Sequence, residues 1–138
     1  MRDVFEMRRS LAVDAARLCA QRADDTQIAR VVEAAAAYPE RAAEATPEAV
    51  VGADIDFWLA VINGSGNLAY RLAMNTLLSG LDSLGIPAMR QLGLLDEYAD
   101  RDAHIRLARH IADRDVAATT DLATTLLSRV LDAIATTE

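Results

Sequence analysis

The chain has 138 residues, 52% of them hydrophobic, with 21 acids against 14 bases and a formal net charge of -7. That length supports one self-sufficient core, so a single domain over residues 1–138 is expected. Every base is an arginine, and they gather only at Arg2, Arg8 and Arg9; an acidic chain with so small a basic cluster is a poor binder of duplex DNA or of an anionic membrane.

Apolar residues recur at three and four, never usefully at two, which predicts helices and no strands. The first helix runs from about Asp3 to Arg22 on the stripe Val4, Met7, Leu11, Ala15 and Leu18. Acids at Asp3, Glu6 and Asp14 exclude a secretory signal there. Cys19, the single cysteine, falls within this pattern and reads as a small hydrophobe, consistent with a reducing cytoplasm.

Asp24, Asp25 and Thr26 offer N-caps for a second helix through Ile28, Val31, Val32 and Ala35, weakening at Tyr38-Pro39. Thr46-Pro47-Glu48 starts a third: a capping hydroxyl, proline at the first position and an acid in the first turn. This helix carries Asp54, Trp58 and Ile62 and stops at Asn63-Gly64-Ser65-Gly66. Its run Phe57 to Ile62 is the longest apolar stretch, far below the ~20 residues that span a bilayer. A soluble, cytoplasmic protein is expected.

Asn67 caps a fourth helix whose apolar residues are Leu68, Leu72, Leu77, Leu78, Leu81 and Leu84, continuing to Gly85-Ile86-Pro87. Ala88 to Leu95 reads as a connection with at most a short helical turn. A fifth helix is predicted over about Asp96 to Asp113, and a sixth begins at Asp115 and carries Val116, Leu122, Leu126, Leu127, Val130 and Ile134. The expected architecture is all-α, an antiparallel bundle of about six helices whose ligand sites lie inside.

Three stretches in this order, FEMRRSLAVDAARLCA, DIDFWLAVINGSGN and AHIRLARHIADRD, resemble the FCD domain, the effector-binding domain of FadR-type GntR transcription regulators. The resemblance covers essentially the whole chain. Arg8 and Leu11 match an arginine three residues before a leucine, although the usual acid after that leucine is here Ala12. Asp54, Phe57 and Asn67 match the third-helix pattern, with Trp58 where the family has histidine. His104 and Asp115 match a histidine eleven residues before a capping aspartate, and Leu126 stands where many members have a further histidine.

The resemblance implies a domain that binds a small, carboxylate-bearing metabolite inside the bundle, pairs as a homodimer, and acts on DNA only through a winged-helix domain that these residues do not include. Many members hold a divalent metal on one aspartate and three histidines; with only Asp54 and His104 kept, two ligands fall short of the usual three or four, so no metal and no other cofactor is expected. The ligand-binding candidates are Arg8, Asp54, Trp58, Asn67, Arg71 and His104.

Each also has a plainer reading. Trp58 is a core residue or a pocket wall; Asp54 is a paired pocket carboxylate or an exposed first-turn acid; His104 is a pocket residue or solvated; Arg71 is a second anion contact or a surface charge. Only one of the adjacent Arg8 and Arg9 can point inward, where it needs a carboxylate partner. Two rival functions remain, a structural dimerisation bundle without ligand and an acid-base enzyme using Asp54 and His104. Against the enzyme, no nucleophile stands beside a base.

Overall fold

The polar and proline signals become helix caps in the structure, a computed structural model that describes residues 1–137. Helix α1 spans Arg2–Arg22 and α2 Asp25–Ala36. Asp24 opens α2 with a capping box, its carboxylate accepting from the Gln27 backbone N–H while the Gln27 side chain accepts from the Asp24 N–H. A 3-10 turn at Ala42–Glu44 leads to α3, Pro47–Ser65, whose Thr46 hydroxyl accepts from Ala49 N–H. Gly66, at φ 68°, ends it in the left-handed conformation that a Cβ disfavours.

Asn67 then caps α4, Leu68–Asp82. Two short helices follow, α5 (Ile86–Gln91) and α6 (Leu94–Tyr98), then α7 (Arg101–Ala112) and α8 (Val116–Thr137). The described residues therefore form eight α-helices and no strands. The fold is all-α, as the sequence predicts, with more helices than the six read from it.

The extra helices have local causes. Gly93 takes φ 77° and divides the expected connection into two helices. The predicted fifth helix is interrupted at Asp100, whose carboxylate accepts from Ala103 N–H and starts α7 afresh. Two stripes also shift. Met7 is exposed while its neighbour Arg8 is buried, and Leu68 and Leu72 stand out from α4, which turns Met74, Leu77 and Leu81 inward instead.

Helix α1 forms the axis of the molecule, packing against α8, α3, α7 and α4. Bonds from Arg9 to Ser128 and from Arg114 to the Ala20 carbonyl make α8 antiparallel to α1. Gln27 with Asn63 and Tyr38 with Asp54 make α2 antiparallel to α3. Up-and-down packing of this kind follows from the short connections.

The α1–α3 crossing is close, because a Cβ placed on Gly64 would lie 2.5 Å from Cys19 Sγ. The core has two parts. One, larger, centres on Ala15, Cys19, Phe57, Val61, Leu107, Ile111 and Leu126. The other gathers Phe5, Val50, Leu81, Met89, Leu94, Tyr98 and Val130 toward one end. Each fully buried large side chain among these contributes about 1.5–3 kcal/mol.

Candidate functional site

Between the two core clusters lies a partly enclosed cavity of about 70 Å³, with room for about five waters. Its wall takes Arg8 and Ala12 from α1, Val51, Asp54, Ile55 and Trp58 from α3, and Met74, Leu77, Leu78, Leu81 and Asp82 from α4; Met89, Tyr98 and Leu127 close it. Arg8 is the single basic residue of that wall.

Arg8 reaches this position because its side of α1 faces the interior between Phe5 and Leu11. Its guanidinium grips Glu97 of α6 with two bonds: Nη1 donates to Oε1 at 3.2 Å and Nη2 to Oε2. Both residues are almost wholly buried, and the guanidinium lies 5.6 Å from the centre of the Tyr98 ring. Burial alone would lower the Arg8 pKa, but the Glu97 charge and hydrogen bonds, with Tyr98 and Asp54, together outweigh it and leave arginine above its ordinary value. Burial lifts the Glu97 carboxyl in turn, with the Arg8 charge pulling the other way.

Asp54 is also buried, at 6% exposure. The Tyr38 hydroxyl donates to its Oδ1 at 2.7 Å. His104 Nε2 approaches the same oxygen at 3.2 Å but without the alignment of a hydrogen bond. The other ring nitrogen, Nδ1, is 2.7 Å from the Asp100 carbonyl oxygen, a contact that requires Nδ1 to carry the hydrogen. Tyr38 stacks on the imidazole at 4.3 Å between ring centres, and Phe57 meets both edge-on. Burial first, and then the Asp54 charge, hold the Tyr38 phenol far above its usual pKa, so it serves as a fixed donor.

The six candidates thus divide. Arg8, Asp54 and Trp58 line one cavity. His104 is fully buried behind Asp54 and touches it without lining the space. Asn67 and Arg71 lie elsewhere: Asn67 Oδ1 accepts from Ala69 N–H to cap α4, and the exposed Arg71 bonds Asn63 Oδ1 at 2.8 Å. The spacing that suggested a second anion contact at Arg71 turns it instead toward the end of α3.

Two partners escaped the sequence reading. Glu97 was hidden because helix α6 was merged with the next, although a buried Arg8 had called for some carboxylate. Tyr38 was read only as a helix end, yet its ring is 1% exposed. A second hollow at Pro39, Glu40, Arg41, Glu44 and Ala45 is an open surface dent edged by exposed charges, with no buried polar group in it.

The FCD domain family model matches residues 3–129. The chain belongs to the FCD domain family. No curated protein and no solved structure matches it. In this FCD domain the four positions where the resemblance implies metal ligands hold Asp54, Trp58, His104 and Leu126. An indole and an alkyl chain donate nothing to a metal, and Asp54 Oδ1 already serves Tyr38. Among the described residues no three His, Cys, Asp or Glu side chains form a metal-holding group. The residues present do not fit a metal centre. No helix of the described residues is long and apolar enough to cross a membrane.

Proposed function

We propose that this FCD domain is the small-molecule-sensing part of a GntR-family transcription regulator, residues 1–138 acting as one effector-binding and pairing unit. The observation that carries the reading is the cavity itself. It lies at the seam of two apolar clusters and is apolar for most of its wall, with a few oriented polar groups, as ligand sites are. Occupancy would be read out only by binding two arrangements of the pair with different affinity. The homodimer and a DNA-reading winged-helix partner come from the family resemblance; sedimentation of the isolated domain tests the first.

The acid-base enzyme gains no support from the geometry. His104 is shielded by Asp54, and neither stands beside a nucleophile in the cavity. Thermal unfolding against a library of metabolites tests the sensor. A ligand that binds only the folded state, at about 100 times its dissociation constant, adds ~2.7 kcal/mol. Leu77→Trp, which plugs the cavity, is expected to abolish that gain while leaving a cooperative transition. Stabilisation that survives the plug would place the ligand elsewhere, and no stabilising compound at all would favour a purely structural bundle.

A further inference from the structure

We infer that the molecule recognised in this cavity is a small amine with an apolar body, its ammonium group donating to Asp54 Oδ2. The inference rests on the sensing role proposed above and narrows it to a ligand class. It departs from the carboxylate ligand that the family resemblance suggests, and three features of the wall carry it.

The first is that Arg8, the lone basic residue of the wall, already has a buried bidentate partner in Glu97. An incoming carboxylate would meet a guanidinium whose charge Glu97 already balances, taking only the N–H donors that Glu97 leaves and bringing a third negative charge beside Glu97 and Asp54. The second is the state of Asp54. Tyr38 holds Oδ1, with His104 Nε2 near it but unaligned, while Oδ2 accepts no hydrogen bond among the described residues, although the residue is 6% exposed and lines the cavity. A carboxylate oxygen open to a mostly apolar, partly enclosed space calls for a donor, and a charged donor makes the stronger bond.

The third feature is Asp82, exposed at the rim of the same wall, which adds a second negative charge and no positive one. Met74, Met89, Leu77 and Leu127 supply a pliable apolar lining for the body of the ligand. The space admits a body of about five non-hydrogen atoms when each is given the volume of a water.

The test is a matched series, n-pentylamine, 1-pentanol and n-pentanoate, titrated into the domain at neutral pH. Binding is followed by calorimetry and by the NMR signal of the indole N–H of Trp58. The chain has a single tryptophan, so that signal is unambiguous, and its ring is part of the cavity wall. The amine is expected to bind about tenfold or more tighter than the alcohol, the worth of one charge-assisted hydrogen bond, and to move the Trp58 signal. Pentanoate is expected to bind weakest.

Asp54→Asn keeps an acceptor for Tyr38 and is expected to reduce the amine to the level of the alcohol. If that variant does not fold, the series on the unaltered domain still decides. Pentanoate binding as tightly as the amine, with the Trp58 signal moving, overturns the ligand class but leaves a sensing cavity. Amine binding that leaves the Trp58 signal unmoved also overturns the inference, by placing the contact on the acidic surface. No binding by any of the three overturns the amine class and counts against the sensing role together.

Discussion

Arg8 and Glu97 show how much a buried charge depends on its partner. Each is expensive to bury alone, and together they stabilise mainly by sparing one another that penalty. Glu97→Gln is therefore expected to lower stability by about 3–5 kcal/mol, measured by chemical denaturation, because it strands the guanidinium. Replacing both with apolar residues, Arg8→Met with Glu97→Leu, is expected to recover most of the loss. A double variant as weak as the single one would mean that the pair is valued for more than mutual compensation. Tyr38 and Asp54 follow the same logic with a neutral donor: one buried oxygen is satisfied, and the other is left for a guest.

At the scale of elements, the tightest constraint is the α1–α3 crossing at Gly64. A methyl group there meets Cys19 Sγ at 2.5 Å and Ala23 Cβ at 3.2 Å, and the helices must part to admit it. Gly64→Ala is expected to cost about 1–3 kcal/mol, the usual range for overpacking. Adding Cys19→Ala should return a good part of it; no recovery would put the strain in the backbone rather than the sulfur.

Asp100 makes three contacts to two helices, capping α7, accepting from Arg129 of α8 at 2.8 Å and offering its carbonyl to His104 of α7. Burial pushes its carboxyl up, but the Ala103 N–H and Arg129 outweigh that and hold it below the ordinary carboxylate value. A depressed folded pKa means stability that is present above the unfolded value, about 3.9, and is lost as pH falls through the folded one. Asp14 behaves alike, held down chiefly by the Tyr70 hydroxyl. Asp100→Asn is expected to flatten the acid limb of stability below about pH 4, followed by melting temperature against pH. An unchanged limb would show that Asp100 titrates alike in both states.

Helix starts were legible because capping is local chemistry: Asp24, Thr46, Asn67 and Asp115 sit next to the groups they satisfy. Asp54 and Trp58 share a face of α3 through their spacing of four, but Arg8 was placed with them only through the family pattern, since nothing near it in the chain says what it faces. The fifth helix was misread because Asp96 to Asp113 keeps a helical period through its break. Period reports which face is apolar, not whether the chain stops and restarts at a cap such as Asp100. That one misreading concealed Glu97, and with it the fact that the cavity's arginine is already engaged.

For the molecule as a whole, the position of the cavity matters more than its size. Its wall is assembled from both apolar clusters, so a bound molecule would tie Leu77 and Leu127 on one side to Leu81 and Met89 on the other. Part of that wall comes from α5 and α6, helices of six and five residues, entered through Gly85 at φ 80° and Gly93 at φ 77° and lacking side-chain caps. Helices so short have almost no stability of their own. Amide exchange across residues 86–98 is accordingly expected to outpace that of α1 and α8, and equal protection throughout would contradict this. If a guest enters by this segment, the panel that gives way is α5, because the Glu97 bonds to Arg8 latch α6 to the frame.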